Sequence, residues 1–356
     1  MKEKIKNSEA RQKNLLVSFS GGETSAFMAQ WLNNHYDELG YENIVFVFAN
    51  TGLENEQTLE FVERCDKHFK LNVQWVEADV QQGARKGTGY YMTDFDNASR
   101  KGEPFEAMIK KYGIPNQAFP HCTRELKQAP IKAFGKVWFN GEKYHTAIGI
   151  RQDEADRMNA KAKEMGFIYP LISSKMIPAT KPMINFYWRS MPFRLELKGY
   201  QGNCVTCWKK ADKKLYQIAQ ENPKAFEFMA DMERKYPRVG FEFEKEGRPY
   251  QLINGKYTFW QTNYSIGDKI KVPTKKRVFT EYGDYYVETT VIVKDVKNEL
   301  WFPSDRTFFR KNRSTLDILN EAKDWKGVIK NDADEYTYQL DLLGGESCEV
   351  FSECGS

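Results

Sequence analysis

Long apolar runs are missing from this chain. The longest, Ile44 to Ala49, is far shorter than the ~20 residues a bilayer-crossing helix needs, which excludes a fold built on membrane-spanning helices. Cysteine is scarce: six in 356 residues are too few for a disulfide framework, so in a reducing compartment they stand as thiols or metal ligands. Net charge is nearly absent, since 53 Lys and Arg face 49 Asp and Glu for a balance of +4, and a basic surface for nucleic acid would have to be local. There is no internal repeat or low-complexity tract, and the opening MKEKIKNSEARQKN has no apolar core like that of a signal peptide, so the expected address is the cytoplasm. What is present, 41% hydrophobic and 14% aromatic residues, can build a sizeable core, and the length allows about two domains of ~150 residues.

The first 80 residues alternate strand and helix signals. Leu15 to Phe19 reads as a buried strand, Ser25 to Leu32 as a helix, Ile44 to Phe48 as a strand, the stretch from Thr58 to Cys65 as a helix and Asn72 to Val76 as a strand. Helices between strands imply right-handed crossovers and a parallel sheet covered on both faces, an α/β fold with a doubly wound sheet. From Gly83 to Pro120 the pattern dissolves into an irregular segment with one weak helix near Phe105 to Tyr112. A helix follows over Ala129 to Trp138 and a fourth strand over Tyr144 to Ile150. Pro170 to Pro192 is expected to be extended, and Cys204 to open a helix that carries Leu215, Ile218 and Ala219. Beyond Gly240 the composition turns to Tyr, Phe, Thr and Val, which predicts a small β-rich appendage over about 240–310, followed by a last helix from Ser314 to Lys323.

The strongest chemical signal is the first strand, loop and helix. In Ser18-Phe19-Ser20-Gly21-Gly22-Glu23-Thr24-Ser25 two glycines let the backbone turn sharply and approach a ligand, while loop and helix-start N–H groups converge as they do on phosphate. Ser18, Ser20, Thr24 and Ser25 add hydroxyls. With FANTGLENEQTLEF at 48–61, CTRELKQAPIKAF at 122–134 and IGIRQDEADRM at 148–158, this segment makes the chain resemble the phosphoadenosine phosphosulfate (PAPS) reductase family of the PP-loop adenine-nucleotide-binding superfamily, over about 14–235.

The resemblance implies a PP-loop, Rossmann-like domain over 1–238, with 239–356 holding the appendage and a cysteine-containing tail. It implies that the loop holds phosphate and that the ends of the next strands, at Asn50, Thr51 and Gly52 and at Gly149 and Arg151, hold the nucleoside. One departure matters: ATP-cleaving relatives read Ser-Gly-Gly-Lys-Asp-Ser, whereas this chain has Glu23 and Thr24. A carboxylate there repels phosphate unless it points outward or meets a metal, which leaves Arg124, Lys127 and Arg151 as the cations for an anionic substrate.

Cys204 and Cys207 have metal-ligand spacing, although the same pair is also consistent with a redox dithiol or two packed thiols. By resemblance of GNCVTCWKK to iron–sulfur-bearing relatives, Cys122, Cys204, Cys207 and Cys348, or Cys354 in place of Cys348, are expected to hold a 4Fe–4S cluster, with zinc as the alternative. Glu353-Cys354-Gly355 resembles the tail tripeptide of the family's reductases, which makes Cys354 the expected nucleophile, with Arg124 and Lys127 beside it. Cys65, on an apolar stripe, reads as a core thiol.

Three functions follow from these readings. The first is a reductase acting on PAPS or adenylyl sulfate with a thioredoxin-like reductant. The second is an ATP-dependent enzyme, with magnesium, that adenylates or thiolates a nucleic acid or small molecule, the basic residues Lys269, Lys271, Lys275, Lys276, Arg277, Arg306, Arg310, Lys311 and Arg313 then meeting phosphates. The third is a nucleotide sensor without turnover. No membrane partner is expected, and a homodimer is left open.

Overall fold

The computed structural model describes residues 12–83, 86–237, 239, 250–253, 256–260, 265–280, 283–294, 296–297 and 305–329. Two compact units emerge, one of Met1–Val239 with the chain from Arg306 onward and the other of Gly240–Asp305.

The first unit is built on a six-stranded sheet. Its strands are β1 (Asn14–Ser18), β2 (Asn43–Asn50), β3 (Gln74–Val80), β4 (Thr88–Thr93), β5 (His145–Ala147) and β6 (Phe167–Ile168), in the order β4-β3-β2-β1-β5-β6. All neighbours are parallel except β4, which runs antiparallel to β3 at one edge with Glu77 opposite Tyr91. β1 is central and every residue in it is buried, as a parallel strand covered on both faces requires. Successive side chains go to opposite faces: Leu15 and Val17 join one core, and Leu16 the other.

On the first face α1 (Glu23–His35) and α2 (Glu56–Phe69) supply Phe27, Met28, Phe61 and Val62, and α6 (Lys181–Ser190) adds Trp188 edge-on to Phe61 at 4.9 Å. On the second, α4 (Ala129–Trp138) lays Ile131 and Phe134 against Leu16, Val45, Val47 and Val76. Each large apolar side chain so buried contributes about 2 kcal/mol. A third core joins α3 (Glu103–Tyr112), α7 (Asp212–Glu221), α8 (Glu227–Lys235) and α9 (Thr315–Asp324), while α5 (Ala162–Met165) is a single turn before β6.

In the second unit β9 (Lys269–Thr280) and β10 (Gly283–Ile292) form an antiparallel pair, and β7 (Tyr250–Ile253), β8 (Lys256–Trp260) and β11 (Val296–Lys297) a three-stranded sheet.

Four expectations need correction. The irregular stretch over 83–120 contains β4, whose TGYYMT is half exposed at the sheet edge and so lacks an apolar alternation. The extended reading of 170–192 gives way to α6, because Pro182 sits in its first turn, where a missing N–H removes no helical bond. Cys204 and Cys207 precede α7, which starts only at Asp212, so they do not open that helix. Finally, a second domain continuous over 239–356 is not what forms: from Arg306 the chain rejoins the first unit, where Phe308, Phe309, Ile318 and Ala322 enter the third core. Arg313 is paired there with Asp212 and Glu321, and Arg310 donates to the Lys209 carbonyl, so the basic residues expected to meet phosphates do not form one set on the appendage.

Candidate functional site

The sheet order reverses between β1 and β5, and a doubly wound sheet opens its ligand crevice at the carboxyl ends of those strands. There the chain turns from β1 into α1. Gly21 has φ +81°, and a Cβ on it would meet Thr58 Cγ2 at 2.7 Å and Phe48 Cε2 at 3.0 Å, so only glycine fits. Gly22, the residue before α1, faces open space instead. Ser25 fastens the loop: its Oγ accepts from Ser20 N at 3.2 Å, pairs with Ser20 Oγ at 2.9 Å and donates to Gly22 O at 3.0 Å. On the β5 side, a Cβ on Gly149 would meet Ser25 Cα at 3.2 Å, so a glycine here lets the chain after β5 pack closely on the first turn of α1. Arg151 follows, donating from Nε to Asp153 at 3.1 Å and from Nη1 to Thr24 Oγ1 at 3.3 Å, with Glu154 at 3.2 Å.

The loop and Arg151 border a cleft of about 260 Å³, whose lining does not include Gly149. Of the expected ligand residues, Ser20, Gly21, Gly22, Thr24, Ser25, Lys127 and Arg151 line it. Ser18 is buried beneath the loop, its hydroxyl without a partner. Arg124 is exposed and turned to Glu125 at 2.7 Å, outside the lining.

Asn50, Thr51 and Gly52 brace the end of β2 rather than line the cleft. Asn50 is fully buried; its amide donates to Glu77 at 2.6 Å and to Ser99 O at 2.8 Å, and its carbonyl accepts from Gly52 N. Glu77, itself buried, also accepts from Ser99 N, Ser99 Oγ and Tyr91 OH, so one carboxylate ties β2, β3, β4 and the loop before α3. Thr51 donates to Glu54 and meets Cys204 Sγ at 3.5 Å.

The opposite wall lies mostly outside the four motifs that carry the family resemblance. It is made by Leu195, Leu197, Tyr200 and Asn203 with Lys181, Lys198, Lys210 and Lys214. Lys210 is buried, and its ammonium donates to Tyr200 O at 2.9 Å and Gly202 O at 2.6 Å. Glu23 also lines the cleft, its carboxylate paired with Arg194 at 3.0 Å.

Beside the cleft lies a second, far smaller pocket of about 30 Å³, lined by Thr51, Cys122, Cys204, Cys207 and Trp208. Lys127 and Asn203 line both cavities, and Lys127 stands 3.6 Å from Glu54. Burial, with Glu54 adding to it, pushes the Cys204 thiol up to about 12 against the pull of Lys127. Three of the expected cluster ligands thus meet, but no group of three or more His, Cys, Asp or Glu among the described residues is disposed to hold a metal ion. Cys348 and Cys354 lie outside the described residues. Cys65 is fully buried in the first core, its thiol pushed well above the ordinary range by burial.

Comparison with known proteins agrees with this architecture. Residues 14–165 match the family described as phosphoadenosine phosphosulfate reductase domain. An uncharacterised nin-region protein of Escherichia phage lambda is 32% identical over 203 residues, 56% of this chain and 67% of the phage protein. An uncharacterised protein of Methanocaldococcus jannaschii is 26% identical over 246 residues, 65% of this chain and 44% of the relative, and a second from the same organism is 26% identical over 139 residues, which span 39% of this chain and 26% of that protein. The chain belongs to the phosphoadenosine phosphosulfate reductase domain family, within the PP-loop superfamily. Among the described residues no helix is long and apolar enough to cross a membrane.

Proposed function

We propose that this protein is a reductase of the PAPS reductase type, which transfers the sulfonate of an adenylyl sulfate to a thiol. The observation that carries the reading is the cleft at the sheet's reversal point, which a glycine turn, the first turn of α1 and Arg151 line together. In the step proposed, a thiolate electron pair forms a bond to the sulfonate sulfur, the bond from that sulfur to the phosphate oxygen breaks, and the adenosine phosphate leaves. A dithiol reductant of thioredoxin type then attacks the S-sulfocysteine, sulfite departs, and the dithiol becomes a disulfide. Cys354 is the proposed nucleophile, and Lys127, between the cleft and the thiol pocket, is the proposed cation for the leaving phosphate; Arg124 is given no part. The chemistry needs reduced thiols, which suits the cytoplasm.

No step is routed through an iron–sulfur cluster, and iron and sulfide assay of anaerobically purified protein checks that choice. The test of the reading is incubation with labelled ATP, adenylyl sulfate and PAPS: sulfite release supports it, pyrophosphate release favours the ATP-dependent class, and binding without turnover favours a sensor. Cys354→Ser is expected to bind nucleotide yet release no sulfite and form no S-sulfonated adduct by mass spectrometry.

A further inference from the structure

The carboxylate at the mouth of the phosphate loop is held by the wall opposite. Glu23 Oε1 accepts from Arg194 Nε at 3.0 Å and from Leu195 N at 3.3 Å, its Oε2 accepts from Arg194 Nη2 at 3.2 Å, and its backbone carbonyl accepts from Trp188 Nε1 at 2.9 Å. One residue at the start of α1 therefore takes four hydrogen bonds from the single segment 188–195. The pair is largely shielded, with the Glu23 side chain 14% exposed and that of Arg194 25%, which separates it from the surface ion pairs that contribute little.

We infer that Glu23 and Arg194 are positioning residues, a strut that sets the distance between the phosphate loop and the facing wall. The wall begins where the strut ends: Leu195, Leu197, Tyr200 and Asn203 line the cleft, and the run closes at Lys210, whose ammonium grips the Tyr200 and Gly202 carbonyls. The segment is thus strapped at both ends by charged groups, and it passes directly into Cys204. Between those anchors Asn55 donates to Gln201 O at 2.9 Å and Val205 N donates to Leu53 O at 2.9 Å. The bidentate pair also neutralises the one carboxylate borne by the phosphate loop itself, so an anion can approach the loop without meeting an unpaired negative charge. Ligand would then be gripped by loop and wall together, with binding dependent on a contact that touches no ligand atom.

This inference rests on the reading that the cleft takes an adenylyl sulfate, and its experiment separates the two. In the ligand-free full-length protein, Arg194→Leu and Glu23→Gln are compared with wild type by hydrogen exchange, with amides of β1 and β2 as the fold control. The strut predicts lost protection over 195–203 with β1 and β2 unchanged, restored in the double variant Glu23→Arg with Arg194→Glu. It also predicts at least tenfold weaker adenylyl sulfate binding by calorimetry in Arg194→Leu. Unchanged protection over 195–203 would overturn the strut, as would lost protection with undiminished affinity. A wild-type protein that fails to bind adenylyl sulfate would count against the proposed reaction alone, the exchange result still deciding the strut.

Discussion

Gly21 and Gly22 stand side by side in the phosphate loop, and the fold asks different things of them. At Gly21 the positive φ and the 2.7 Å approach of Thr58 make the hydrogen a structural need, so Gly21→Ala should destabilise the protein by about 1–3 kcal/mol, read as a lower urea midpoint. At Gly22 nothing lies within 4 Å, so Gly22→Val should keep the wild-type midpoint and abolish nucleotide binding by filling the cleft. A Gly22→Val protein that binds nucleotide normally would remove the loop from the site. The loop was legible because its chemistry is local: turn, hydroxyls and helix start are contiguous in sequence. The partner of Glu23 was not, since Arg194 is 171 residues away and no spacing rule links an acid in one motif to a base outside all of them. Lys210 lies in GNCVTCWKK, but nothing in that motif told that its ammonium would be buried against the Tyr200 and Gly202 carbonyls.

Among the elements, those that bury a face were readable and those at margins were not. β1, β2 and α2 carry apolar residues at the period of their structure, whereas β4 is an edge strand whose place is fixed by Glu77 and pairing with β3. That gives the buried carboxylate a measurable weight. Glu77→Ala would leave the Asn50 amide, the Ser99 N–H and the Tyr91 hydroxyl without their acceptor, at a cost of about 2–4 kcal/mol in a denaturant titration. An unchanged midpoint would show that water replaces it freely. At the other margin α9 is capped by Ser314, whose hydroxyl accepts from Asp317 N while the Asp317 carboxylate takes the Ser314 N–H. Ser314→Ala should cost about 1 kcal/mol. Because α9 packs in the same core as α7 and α8, that loss should appear in the unfolding of the nucleotide-binding unit, followed by exchange at α7 amides.

For the molecule as a whole, strand and helix alternation was enough to reach the doubly wound sheet, and composition alone marked the change in character near Gly240. The return of the chain at Arg306 was hidden because membership of a core is a long-range property: Phe308, Phe309 and Ile318 have the composition of either unit and are assigned by what they touch. The same logic governs the thiols. Spacing pairs Cys204 with Cys207 and the resemblance adds Cys122, but only the fold shows the trio lining one pocket, beside the cleft through Lys127 and Asn203. What that proximity serves is decided by the reaction. The full chain, purified without oxygen and given adenylyl sulfate or PAPS with a dithiol reductant, should release sulfite and an adenosine phosphate in equal amounts, and Gly22→Val should release neither. Pyrophosphate from ATP, with no sulfite from either sulfate ester, would contradict the account.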